Sequence, residues 1–255
     1  MTVAVELTQA SVERSGKRVV GGVDMSVPSG AWFGLIGANG SGKTSLLRAL
    51  AGRLPLAEGR CLVEGVDLGA DRMARARQFG FAPPADRLPE ALRVRDLLEL
   101  VGGDAEVALD RLGPVGTALG IRALCRRWVG DCSAGMRQRV AIALAFVEGR
   151  PMTILDEPFN WLDPVAAFDL REALRGRVND GLTLITALHD LGTLATACDS
   201  GLMLAEGRAA LTLDRERLAE AAREPRLFER RTIDLLRSGA GRDGHGTGEQ
   251  ACRKG

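Results

Sequence analysis

The sequence predicts an α/β protein: a mainly parallel sheet covered by helices on both faces. Three observations predict it. Short apolar runs with strand character alternate with segments of helical period along most of the chain. A glycine-rich octapeptide of fixed spacing lies between one such run and the helix after it. The chain has 255 residues, 45% of them hydrophobic and 26% charged, enough for a sizeable core and unlike a disordered polymer.

Taken in order, Val3, Val5 and Leu7 alternate with small or polar residues, and Val19, Val20, Val23, Met25 and Val27 mark a second extended segment. Residues 31–36 are apolar and end at Gly37. Residues 45–50 read as a helix stopped near Gly52, and residues 60–68 as a strand and turn between Gly59 and Gly65. Phe79 to Phe81 read as a further strand. From residue 87 to 131 the period turns helical, with Val94, Leu97, Leu98 and Val101 on one face and breaks at Gly102–Gly103, Gly113–Pro114 and Gly120. Residues 136–148 predict a helix, 152–155 a buried strand, 165–178 a helix, 182–187 a strand and 191–197 a short helix. Residues 202–204 and 209–213 predict a closing hairpin around Glu206–Gly207. Residues 214–237 are charged and helical in character, with a break expected at Pro225. The expected organisation is one domain over residues 1–237, with a helical part at about 87–140 and a C-terminal helical segment at about 214–237. A disordered tail is expected over 238–255, with His245 in it.

Composition excludes several classes. Lys+Arg is 34 and Asp+Glu is 33, so the net charge of +1 argues against a generally basic nucleic-acid binder. The longest apolar run, residues 140–147, is far short of the ~20 residues of a membrane span. The first residues carry no basic-then-apolar signal pattern. The five cysteines have no C-x-x-C spacing and neither histidine is near the other, so no zinc site is expected, and an odd count fits a reducing cytosol. Nearly all basic residues are arginine, and Lys17, Lys43 and Lys254 are the only lysines. A lysine at position 43 therefore marks a place that needs a compact point charge.

Lys43 lies in Gly37-Ala38-Asn39-Gly40-Ser41-Gly42-Lys43-Thr44, a full match to G-x-x-x-x-G-K-[ST] in the strand-to-helix setting that the pattern requires. Glycines let backbone N–H groups curl around phosphates, and the helix N-terminus, with Ser45 in its first turn, adds partial positive charge. Lys43 is then placed for the β- and γ-phosphates and the Thr44 hydroxyl for Mg²⁺. From this chain's own residue frequencies about 0.004 such matches are expected by chance. The strand at 152–155 runs into Asp156-Glu157, which supplies an acid for Mg²⁺ and a second acid to polarise a water.

Through these motifs and three more, the chain resembles the nucleotide-binding subunits of ABC transporters. Asp131-Cys132-Ser133-Ala134-Gly135-Met136-Arg137-Gln138-Arg139-Val140 is similar to the family's L-S-G-G-Q signature and its R-Q-R tail. Asp156-Glu157-Pro158-Phe159-Asn160-Trp161-Leu162-Asp163-Pro164 resembles the catalytic glutamate and the D-loop, and the run from Leu184 to Asp190 resembles the switch-histidine strand with His189. The resemblance covers roughly residues 3–213. It implies a P-loop NTPase fold of the ABC type, with an N-terminal antiparallel β subdomain and a helical subdomain bearing the signature. It also implies Glu157 and His189 as catalytic residues, Thr44 and Asp156 as ligands of Mg²⁺, and Ser133 and Gly135 facing the γ-phosphate of ATP held by another subunit. Two chains, a homodimer or pseudo-dimer, would then sandwich two ATP molecules on a separate transmembrane permease. The subunit would be cytoplasmic, held at the inner face of the membrane through the permease. The brief helical segment and the Ser-Ala-Gly-Met-Arg-Gln-Arg run look more like exporter subunits. A soluble ATPase of the same family that drives an assembly or repair complex shares the same phosphate loop and stays open at this point. A regulatory ATP sensor with little turnover is disfavoured by intact Lys43, Asp156, Glu157 and His189.

The sequence also departs from the family. Cys132, Ala134 and Met136 replace Leu, Gly and Gln of the signature. The Gln expected after the Phe79 to Phe81 strand falls at or next to Pro84, so Asp86 or Glu90 is the alternative group for the metal shell. No tyrosine exists and the adenine-stacking aromatic would fall near Arg14, so the base is expected on the Arg14 guanidinium or on Val20. Trp161 stands where the D-loop has a small residue and is read as a partly buried interface tryptophan without a catalytic part.

Overall fold

A computed structural model describes residues 2–224 together with Arg226, Phe228 and Arg230. The break at Pro225, the far end of the C-terminal segment and the tail expected over 238–255 lie outside the described residues.

Two sheets share the chain. The first is antiparallel, formed by β1 (Val3–Arg14) and β2 (Lys17–Pro28). Then β3 (Trp32–Ile36) enters the second sheet and delivers the chain to α1 (Lys43–Leu50). β4 (Glu58–Val63) and β5 (Val66–Asp67) return to the first sheet, whose order is β2-β1-β4-β5. α2 (Arg72–Gln78) leads into β6 (Phe79–Phe81), at the edge of the second sheet.

The helical part follows: a 3₁₀ turn at Ala85–Arg87, then α3 (Val94–Gly102), α4 (Ala105–Ala118), α5 (Ile121–Leu124), a second 3₁₀ turn at Val129–Asp131 and α6 (Ala134–Leu144). Gly113, at φ 50° and ψ −131°, kinks α4 immediately before Pro114, where the sequence predicts a break. The chain re-enters the sheet as β7 (Met152–Asp156). It continues through α7 (Pro164–Asn179), β8 (Thr183–Leu188), α8 (Leu191–Ala197), β9 (Ser200–Ala205), β10 (Arg208–Leu213) and α9 (Arg215–Arg223). The order of the second sheet is β10-β9-β3-β8-β7-β6, parallel throughout except for the β9–β10 hairpin.

The strands buried on both faces read as continuous apolar runs: every residue of β3 and of β8 is buried. One core lies between the two sheets and includes Leu46, Leu47, Ala49 and Leu50 of α1, all with no exposed surface. Each such leucine contributes roughly 1.5–3 kcal/mol from burial. The other core joins the opposite face of the second sheet to α3, α4, α6 and α7.

Helix α2 had no sequence signal, because Asp71-Arg72-Met73-Ala74-Arg75-Ala76-Arg77 carries no apolar stripe. It forms for two tertiary reasons. Asp71 caps it by accepting from the Ala74 amide at 2.9 Å. Arg75, with no exposed surface, donates to the carbonyls of Ala49, Leu54, Leu68 and Gly69 and ties the helix to the phosphate-loop layer.

Candidate functional site

The carboxyl ends of β3 and β7 lie one strand apart, with β8 between them, and this brings the two sequence motifs together. At the end of β3 the loop from Gly37 to Gly42 is moulded by close backbone approach. A Cβ at Gly37 would stand 2.3 Å from the Leu204 carbonyl oxygen. Gly42 has φ 101°, and a Cβ there would meet the Val19 carbonyl oxygen at 2.8 Å. No other residue fits either place. The Ser41 amide donates to the Ala38 carbonyl at 3.1 Å, which closes the turn containing Asn39 and Gly40. Helix α1 begins at Lys43 with no side-chain cap and no acid in its first turn. Its first amide donors, those of Lys43, Thr44 and Ser45 included, therefore lack side-chain partners and suit an anion.

Lys43 is 5% exposed, and its Nζ donates to the carbonyls of Gly37 at 2.7 Å and Ala38 at 3.2 Å. It also stands 3.9 Å from Glu157 Oε1. A compact ammonium meets all three oxygens where a planar guanidinium would not fit.

Asp156 is the last residue of β7. Its Oδ1 is buried without a hydrogen-bond partner among the described residues. Burial pushes its carboxyl above the ordinary carboxylate range, while a hydrogen bond from the Thr44 hydroxyl pulls the other way. A buried carboxylate oxygen with nothing to accept beside a threonine hydroxyl is a donor set of hard oxygens. It fits Mg²⁺, which takes one or two carboxylates and completes its shell with water and phosphate. Among the described residues no group of three or more His, Cys, Asp or Glu side chains stands ready for a metal.

Glu157 follows at φ 50°, a left-handed backbone held by the hydrogen bond that its N–H donates to the Ala187 carbonyl at 3.1 Å. It lines three adjoining cavities. One, of about 730 Å³, also contains Thr44, Asp86, Cys132, Ala134, Gln138 and Asp156. The second, about 360 Å³, contains Asn160, His189 and Thr193. The third, about 410 Å³, is lined by Arg14, Val19 and the loop from Asn39 to Ser45. His189 thus shares a cavity with Glu157. Its neighbour Asp190 fixes the turn after it: burial would raise that carboxyl, but the hydroxyl and amide of Thr193, each at 2.6 Å, and the Gly192 amide at 3.1 Å hold it below the usual value.

The signature residues are divided. Ser133 caps α6 by accepting from the Met136 amide at 3.3 Å and is exposed. Gly135 lies against the Trp161 carbonyl oxygen, 2.7 Å from where a Cβ would stand. Their neighbours Cys132 and Ala134 line the 730 Å³ cavity; Ser133 and Gly135 do not.

Two expectations need correction. Val20 has no exposed surface and lies under Gly42, so Val19, the residue before it on β2, faces the cavity beside Arg14. Glu90, paired with Arg137 at 3.0 Å, does not line the 730 Å³ cavity, whereas Asp86 does. Trp161 is 77% exposed in the single chain, at φ 65°. Sequence reading passed over Asn160 as a residue with a part of its own, although Asn three residues after an acid at a turn is a local signal. Its Nδ2 donates to Glu157 Oε2 at 2.6 Å.

Comparison with known proteins agrees with this geometry. The family described as ABC transporter matches residues 20–160. The chain is 29% identical over 220 residues to a lantibiotic transport ATP-binding protein of Streptococcus pyogenes, covering 85% of this chain and 95% of that one. It is 30% identical over 214 residues to a cobalamin import ATP-binding protein of Halobacterium salinarum, covering 80% and 53%. A solved ATP-binding subunit of an ABC transporter superposes with a TM-score of 0.79 at 26% identity, over 91% of this chain and 99% of that one. With its phosphate loop, its paired acids and these likenesses, the chain belongs to the ABC transporter family, as an ATP-binding and ATP-hydrolysing cassette.

Proposed function

We propose that this chain powers a membrane transporter, binding Mg²⁺–ATP at the phosphate loop and hydrolysing it with Glu157 as the base. The observation that carries the chemistry is the unpartnered Asp156 Oδ1, set beside Thr44 with Glu157 next in the chain. Thr44 and Asp156 would hold Mg²⁺, which when bound neutralises charge on the phosphates. Amides of the loop from Ala38 to Ser45 take the phosphate oxygens, and Lys43 exchanges its carbonyl partners for them. Glu157 takes a proton from a water. The water oxygen bonds to the γ-phosphorus, the bond from that phosphorus to the bridging oxygen breaks, and ADP leaves with the electron pair. His189 orients the γ-phosphate and the water from the adjoining cavity.

The working unit we propose is a head-to-tail pair of chains. Exposed Ser133, with Gly135 behind it, then serves ATP on the other chain, and exposed Trp161 is covered by the partner. No helix of the described residues is long and apolar enough to cross a membrane. In this reading the chain sits at the inner face of the cell membrane on a separate transmembrane permease, which supplies the membrane path. Transport is favoured over an assembly or repair role because the relatives named above are themselves transport or import proteins. Identity does not separate the directions; the brief helical segment favours export.

The test is isolation of the chain from detergent-solubilised membranes. A membrane-spanning partner that stimulates its ATPase activity is expected. Recovery in soluble complexes alone would overturn transport and leave the assembly reading.

A further inference from the structure

Glu157 is held from two sides, and only one of them is backbone. Its amide is fixed to the Ala187 carbonyl at 3.1 Å. Its carboxylate carries two different partners: Oε1 faces Lys43 at 3.9 Å, and Oε2 accepts from Asn160 Nδ2 at 2.6 Å. The Asn160 amide also donates to the Glu157 carbonyl at 3.2 Å, so residues 157–160 form a closed turn. Asn160 is half-buried between the cavity that holds Thr44 and Asp156 and the cavity that holds His189.

These two partners behave differently when nucleotide arrives. The Lys43 ammonium has stronger claims elsewhere, since phosphate oxygens compete for it. The Asn160 amide carries no net charge, faces Glu157 directly and belongs to the same turn. It is the contact that persists when Lys43 turns to phosphate. A glutamate side chain free at three torsions spends most of its time away from any one water, so a single fixed donor on one oxygen leaves the other aimed.

On the reading that Glu157 is the base, the geometry points to Asn160 as its positioning residue: its side-chain amide holds Oε2 so that Oε1 faces the attacking water. A bland alternative is that Asn160 only stabilises the turn. The two differ in what an aspartate does. Asn160→Asp would keep the size and the turn-forming ability of asparagine but would place a carboxylate oxygen, in place of the N–H donor, against Glu157 Oε2.

The experiment compares steady-state ATP turnover, nucleotide affinity and thermal midpoint for the full chain and four variants: Asn160→Ala, Asn160→Asp, Glu157→Gln and Asn160→Ala with Glu157→Gln. Asn160→Ala is expected to lower kcat at least about tenfold, with KM for ATP changed by less than about threefold and the thermal midpoint unmoved. Asn160→Asp is expected to lose at least as much. In the Glu157→Gln background, Asn160→Ala is expected to cost nothing further, because the base it positions is already gone. Wild-type kcat in Asn160→Asp would overturn the proposal and leave a turn residue. An equal fractional loss in both backgrounds would overturn it too, since the effect would not pass through Glu157. Wild-type turnover in Glu157→Gln would instead overturn the assignment of the base, a separate failure.

Discussion

Lys43 Nζ and Glu157 Oε1 stand 3.9 Å apart, so the phosphate loop and the carboxyl end of β7 are joined by their two functional side chains before any nucleotide is present. The lysine is almost fully buried, and two backbone carbonyls share it with the glutamate. Under the proposed function the pair is a latch between the group placed for phosphate and the group placed to activate water.

Breaking the latch from either end has different results. Glu157→Gln keeps the size and removes the base, so turnover should fall at least about hundredfold while ATP affinity changes by less than about threefold. An ATP-bound dimer should accumulate, visible as a doubled mass in size-exclusion chromatography with light scattering. Lys43→Ala should cost affinity itself, at least about tenfold, because it removes the only buried cation among the described residues that faces the loop carbonyls.

Asp156 gives a pH dependence whose sign follows from burial. Its carboxyl is raised above the ordinary value of 3.8. The neutral form is thus favoured by folding: that stability is complete below the unfolded value and is lost as pH rises through the raised one. Mg²⁺ needs the ionised form. At a given Mg²⁺ concentration, the Mg²⁺-dependent part of the thermal shift produced by ATP should therefore fade on acidification sooner than it would for a ligand carboxyl of ordinary value. Asp156→Asn should abolish that part and, at neutral pH, stabilise the nucleotide-free chain by on the order of 1 kcal/mol, because the buried charge is removed. Calorimetry with and without Mg²⁺ reads both.

Among the described residues, the cavity beside the loop offers adenine only Arg14 and Val19 as side chains outside the loop and Glu157. A guanidinium stacks on any π face and reads few base edges. Competition between ATP and GTP should show less than about hundredfold preference, roughly 2.7 kcal/mol. Arg14→Ala should weaken both nucleotides to a similar extent.

Gly135 supports the 157–163 loop from the signature helix. A methyl group there would stand 2.7 Å from the Trp161 carbonyl oxygen, and that oxygen belongs to backbone that cannot swing aside. Gly135→Ala should cost about 1–3 kcal/mol of stability and lower turnover, by pushing the loop that carries Asn160. Ala134→Gly, at an exposed first helical position with no such contact, should change stability by less than about 1 kcal/mol. Chemical denaturation of the two variants separates these effects.

The sequence by itself determined the phosphate loop, because Gly37 and Gly42 must accept backbone oxygens where a Cβ would sit and Lys43 stands out against a chain of arginines. It also determined the alternation of strand and helix, since β3, β7 and β8 are buried on both faces and so read as unbroken apolar runs. What the tertiary structure decided are the relations that join distant segments. Helix α2 exists through Arg75 and four carbonyls from other parts of the chain, which leave no periodic trace. Val19 rather than Val20 faces the cavity beside the glycine-rich loop, because the choice of face on a strand is set by what packs beneath it. Glu90 is spent on Arg137, and Asn160 is turned onto Glu157, because partners that close a loop or bridge two helices are chosen by distance in space. Hydrophobic period and backbone constraint act along the chain and are written in it. Charge pairing and hydrogen bonding between side chains act across it, and only the folded chain fixes them.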